Sequence, residues 1–132
     1  MQNFLPKIYC YINSYNLPEL SKLSNNINLI YRNYNKQNDL VTILKLRNFC
    51  KRNKRKLFLS NNIKLALNLK LDGVYIPSFN KQIHYCHTYN KPKKFDIIGS
   101  AHNIHEIKIK EHIDKKIKFF LNIFFVFNII KI

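Results

Sequence analysis

Histidine and cysteine concentrate in one short stretch: His84, Cys86 and His87 read H-x-C-H, and His105 and His112 follow. Imidazole nitrogen and thiolate sulfur are ligands that zinc prefers, but a structural zinc site takes four of them, normally as two close pairs. His105 and His112 do not make the second pair, so the spacing argues against a zinc centre. A second concentration is charge. Lys45, Arg47, Lys51, Arg52, Lys54, Arg55 and Lys56 fall within one span. Such a run either meets a polyanion or stands in solvent at the C-terminal end of a helix, where cations complement the macrodipole. A solvated helix end is the expectation here. The cysteines, Cys10, Cys50 and Cys86, are odd in number and widely spaced. They make no C-x-x-C pair and no disulfide framework, which predicts reduced thiols in the cytoplasm.

The elements that must position such groups can be read from the apolar pattern. Residues 7–12 and 27–31 are short β-type runs, and 57–59, 74–76 and 95–98 repeat the signal. Helical stretches lie between them. Pro18 suits the first turn of a helix in which Leu17, Leu20 and Leu23 share a face. Asp39 caps a second helix, with Leu40, Ile43, Leu44 and Leu46 as its apolar face. Asn61 or Asn62 caps a third that runs through Leu69, and Asp72-Gly73 turns the chain into the next strand. Asn103 with Glu106 has capping-box spacing. Strand and helix alternating roughly every 20 to 25 residues predicts an α/β chain of parallel βαβ units. The pattern alone does not separate a closed barrel from an open doubly wound sheet.

The formal net charge is +16, from 23 Lys and Arg against 7 Asp and Glu. Charge of that size raises nucleic acid or an anionic membrane as partners. Asn, Lys and Ile dominate, however, while Gly numbers 2 and Trp 0. These are the residues of A/T-rich codons, so codon bias is the expected source of the charge and a polyanion partner the alternative. The apolar run at 119–130 is interrupted by Asn122 and Asn128 and falls short of the about 20 residues a membrane span needs. The N-terminus has no signal-peptide pattern. No membrane association is expected.

Two segments carry a family resemblance. Residues 57–76, LFLSNNIKLALNLKLDGVYI, are similar to a strand ending in N-D, a helix reading L-A-x-x-x-x-A-D-G, and a following V-H-[IL]. Residues 96–107, DIIGSAHNIHEI, resemble I-[IL]-G-x-S-x-H-[ST]-x-x-E. A weaker third match, Leu29-Ile30-Tyr31-Arg32, sits where the pattern has Q-[LF]-R-x-K. Together, in this order, they resemble the thiamine-phosphate synthase/TenI family. The resemblance implies an incomplete TIM-type (β/α)₈ barrel of about five to six βα units, with its site at the C-terminal ends of the strands. In thiamine-phosphate synthases an aminopyrimidine pyrophosphate loses pyrophosphate, and a thiazole phosphate nitrogen captures the pyrimidine cation. Mg²⁺ neutralises the leaving group. TenI-type relatives move a proton on a thiazole carboxylate phosphate.

Carried over residue by residue, the resemblance gives Arg32 the pyrophosphate, whose oxygens a guanidinium grips as a fork. The Lys expected two residues later is Tyr34. Ser60 and Asn62 fall at substrate-binding positions. Asn61 and Asn80 fall at the Mg²⁺-ligand positions, which are Asp in active synthases; amide oxygens without charge should hold Mg²⁺ poorly. Ser100 and His102 match S-x-H, with His102 as a base near neutrality. Substitution at the metal positions predicts impaired catalysis.

After His112 the family's G-x-G-P-[IV]-[FY] strand and its Gly-rich phosphate loops do not follow. Residues 113–132 read as an aberrant or divergent tail of a single partial domain, 1–132, as a frameshifted or truncated gene would give. The run 119–127 is either a sixth strand or an exposed, aggregation-prone tail. Unclosed edges would favour self-association as a homo-oligomer. The expected function is a thiamine-phosphate synthase/TenI-like protein of thiamine biosynthesis or salvage that binds small phosphorylated precursors. The alternatives are a non-catalytic phosphate-ligand-binding remnant and, less favoured, a small basic nucleic-acid-binding protein. A clustered basic face with interleaved aromatics would favour the last.

Overall fold

A computed structural model describes residues 8–36, 39–77, 90–101 and 117–121. In chain order they form β1 (Ile8–Ile12), α1 (Leu17–Ser21), β2 (Ile27–Tyr31), α2 (Leu40–Arg52), β3 (Leu57–Ser60), α3 (Ile63–Asn68), β4 (Gly73–Ile76), β5 (Asp96–Ala101) and β6 (Ile117–Leu121). The chain is α/β, and its parallel strands alternate with helices as the pattern predicts. Two compact units divide after Leu57.

In the first unit, β1 and β2 run parallel in register from Ile8 opposite Ile27 to Ile12 opposite Tyr31. The short α1 makes the crossover. Asn16 caps it by accepting from the Glu19 N–H at 3.3 Å, and Pro18 lies in its first turn. Leu20 and Leu23 are buried, but Leu17 is 48 % exposed. The expected three-leucine face therefore holds for two: a helix of one turn brings its face inward only after its first residue. The same happens in α2. Its buried stripe is Ile43, Leu46, Phe49 and Cys50. Leu40 is exposed and Leu44 half-buried, because the stripe starts in the second turn and Leu44 lies beside it.

In the second unit, β3 pairs with β4, β4 with β5, and β5 with β6, all parallel. Leu57, Phe58 and Leu59 are buried, as are all four residues of β4. Strands covered on both faces read as continuous apolar runs, which explains why no period-2 alternation marks them. β6 lies beside β5, with Gly99 opposite Phe119. Of the two placements open for 119–127, strand pairing is the one taken through Leu121; residues 122–127 lie outside the described residues, as does the helix expected at Asn103.

The crossovers through α2 and α3 end in the same motif. After α2, Lys54 takes a left-handed φ of 53° and the Arg55 N–H donates to Cys50 O at 2.9 Å. After α3, Lys70 takes φ 53°, its N–H donates to Leu67 O at 3.1 Å, and the Leu71 N–H donates to Ala66 O at 2.9 Å. This is the Schellman ending, in which the left-handed position normally belongs to glycine. Here lysine fills it twice.

Arg55 corrects the expectation of a wholly solvated basic cluster. Lys51, Arg52, Lys54 and Lys56 are exposed, but Arg55 is 6 % exposed. The helix ending turns it inward, where Nη2 donates to Leu23 O at 2.8 Å and the guanidinium lies 5.5 Å from the Phe49 ring centroid. It thereby ties the α2–β3 turn to the end of the α1 region. Its Nε and Nη1 have no hydrogen-bond partner, so this tie is weaker than a fully bonded guanidinium would be.

Gly73 sits where strands crowd. A Cβ there would collide with the Asp96 carbonyl oxygen and lie 2.5 Å from Phe58 Cε1. Gly73→Ala should therefore destabilise the chain by about 3 kcal/mol, the upper range for overpacking; an unchanged urea midpoint would contradict the close approach. Lys54→Gly should act in the opposite sense. Relief of left-handed strain, less the added chain entropy, should raise stability by about 0.5–1 kcal/mol in the same experiment.

Candidate functional site

Arg32 is the first residue after β2. Its N–H donates to Ile12 O at 2.8 Å, which extends the β1–β2 ladder and fixes its backbone. The guanidinium carbon then lies 4.0 Å from the centroid of the Tyr11 ring and 5.5 Å from that of Tyr34. Both distances are within cation–π range, and a guanidinium carries N–H donors that match an oxyanion. Tyr34, which replaces the expected second cation, is 57 % exposed and serves as the outer ring.

The loop that follows is tied down by side chains. Asn33 Oδ1 accepts from the N–H groups of Asn35 at 2.9 Å and Lys36 at 3.0 Å, an Asx turn. Its Nδ2 donates to Asn13 O at 3.0 Å, joining the exits of β1 and β2. The Tyr31 hydroxyl donates to Lys36 O at 3.2 Å. Burial, reinforced by the charge of Asp39, raises the Tyr31 pKa above its ordinary 10.0 and keeps the phenol neutral. Asp39 closes the loop as the α2 cap, accepting from Thr42 N–H at 3.4 Å and Thr42 Oγ1 at 2.9 Å. On α2, Lys45 Nζ lies 5.9 Å from the Tyr15 ring centroid. Cations and tyrosines are thus interleaved at the C-terminal ends of β1 and β2.

In the second unit, Ser60 ends β3 and is half-buried. Asn61 follows with φ 62°, is exposed, and donates its N–H to Tyr75 O at 2.7 Å. Asparagine tolerates this conformation better than most side chains. Asn62 Oδ1 accepts from the Leu65 N–H at 3.0 Å, so Asn62 is the α3 cap and that amide oxygen is engaged. Of the two positions where the resemblance expects a Mg²⁺ ligand, only Asn61 is described, and neither Ser60 nor Asn62 adds a carboxylate. Ser60, Asn61 and Asn62 offer only neutral oxygens, which hold Mg²⁺ poorly. Among the described residues, no group of three His, Cys, Asp or Glu could hold a metal ion.

The structure groups Ser60, Asn61 and Asn62 at the end of β3 and places Arg32 at the end of β2. The backbone of Ser100 lies in β5, opposite Phe120. Asn80, His84, Cys86, His87, His102, His105 and His112 lie outside the described residues. Sequence reasoning missed Tyr11 and Asn33. The Asn33-Tyr34-Asn35 turn signal was readable; the Tyr11–Arg32 stack needed the strand register. The chain matches no protein-family model and no curated protein. No described helix is long and apolar enough to cross a membrane.

The cap gives a pH test. Hydrogen bonds from Thr42 hold the Asp39 carboxyl below its usual 3.8. Its contribution to stability is present above the unfolded value and is lost as pH falls through the lower folded one. Asp39→Asn still caps but does not titrate. The stability difference between wild type and Asp39→Asn should therefore shrink below pH 3.8, and a difference that stays constant into acid would refute the assignment.

Proposed function

We propose that the chain is a thiamine-phosphate synthase/TenI-like protein, the first five or six units of a (β/α)₈ barrel, that binds a phosphorylated pyrimidine or thiazole precursor with little or no turnover. The observation that carries this reading is Arg32, stacked on Tyr11 at the C-terminal end of β2, where the family resemblance expects a pyrophosphate to be gripped. Parallel strands alternating with helices are what such a barrel requires. Asn61 in place of a carboxylate argues for binding without Mg²⁺-dependent release of pyrophosphate. The buried thiols Cys10 and Cys50 agree with a reducing, cytoplasmic setting.

One observation favours a second reading. Arg32 with Tyr11 and Tyr34, and Lys45 with Tyr15, interleave cations with aromatic rings. That is the surface on which single-stranded nucleic acid stacks its bases and neutralises its phosphates.

Calorimetric titration with inorganic pyrophosphate, and with the aminopyrimidine pyrophosphate, tests the first reading. Binding should occur without Mg²⁺ and weaken about tenfold or more in Arg32→Gln, as loss of a charge-assisted contact implies. Equal binding by the variant, or turnover of order 1 s⁻¹ or faster with Mg²⁺, would overturn it. Tight, steeply salt-dependent binding of a labelled oligonucleotide with no pyrophosphate binding would establish the second reading instead.

A further inference from the structure

The second unit has a cavity of about 460 Å³ that the strand-end residues do not touch. It opens at the N-terminal ends of β4 and β5, whereas Ser60 and Asn61 follow the C-terminal end of β3. Its apolar wall is Leu67, Leu71, Pro92 and Phe95, and its cations are Lys70 and Lys94. Asn90 and one carboxylate, Asp72, complete the lining. Backbone hydrogen bonds tie parts of the wall. The Schellman ending holds Lys70 and Leu71, the Phe95 N–H donates to Pro92 O at 3.0 Å, and the Asp96 N–H donates to Asp72 O at 3.0 Å.

We propose that this cavity is a binding site for a small organic anion with a flat apolar ring, seated on the Leu67–Leu71–Pro92–Phe95 wall with its anionic group between Lys70 and Lys94. The volume lies within the roughly 300–1,000 Å³ that holds small ligands. Two ammoniums against one carboxylate select a negative guest. An inorganic anion would leave the apolar wall in water, so the ring is part of the recognition. Lys70 is directed by its left-handed backbone, which adds a role to a conformation that is costly for lysine.

The test is a fluorescence titration of the full chain with 1-naphthyl phosphate. Lys70→Gln and Lys94→Gln together should weaken binding about tenfold or more, with the circular dichroism spectrum unchanged because both side chains are exposed. Arg32→Gln should bind as wild type does, which separates this site from the pyrophosphate reading above. Inorganic phosphate should not displace the probe. Competition by 1-naphthoate would assign a singly charged head group, and its failure to compete would assign a phosphate; both outcomes keep the site. Binding that ignores the lysine substitutions, disappears with Arg32→Gln, or is displaced by inorganic phosphate alone would overturn the proposal.

Discussion

Parallel strands cannot be joined by a hairpin, and everything in this chain follows from that constraint. Each strand end must hand the chain to a crossover that returns it to the starting edge. The crossover must also cover a sheet face, because a parallel strand is stable only when buried on both sides. Hence the buried runs of β3 and β4, and the stripe of Ile43, Leu46, Phe49 and Cys50 on α2. Hence also the polarity within each unit: turns that open helices follow strand C-terminal ends, and turns that close helices precede the next strand. The caps Asp39 and Asn62 each follow a strand, and each lysine-bearing Schellman turn leads into the next one.

That polarity organises the chemistry. Groups at the C-terminal ends are directed by caps and Asx turns, which use short polar side chains and leave long ones such as Arg32 to reach outward. At the N-terminal ends the helix endings direct side chains inward or along the sheet edge. Arg55 and the cavity beside Lys70 and Leu71 are products of the same backbone geometry at two successive crossovers. A guanidinium drawn into the interior by a turn, with only one carbonyl to meet it, has the character of a by-product of that turn.

Much of the local structure was legible in the sequence. Strand positions, the cap Asp39, the start of α3 at Asn61 or Asn62 and the Asp72-Gly73 entry to β4 needed only neighbouring residues. What escaped was set by tertiary context. Which leucines face the core depends on where a short helix meets the sheet, so Leu17 and Leu40 were misplaced. Helix ends are normally announced by glycine, and here Lys54 and Lys70 gave no such signal. Arg55 reads as one more member of a basic run until its burial is seen. At the site, Arg32, Asn61 and Asn62 could be placed at strand ends from the pattern. The stack on Tyr11 required a register between two strands, and the capping role of Asn62 competes with the substrate-binding role expected of it.

The lysines at the two left-handed positions have an evolutionary consequence. Two crossovers close with the costlier residue at a position where glycine would be relaxed, and the chain has only two glycines, one of them locked in place by the Asp96 carbonyl and the Phe58 ring. A left-handed position filled by lysine uses up some of the tolerance that lies between a fold and its threshold of unfolding. Where that margin is small, one further destabilising substitution changes the folded fraction more than it would in a chain whose helix ends are relaxed.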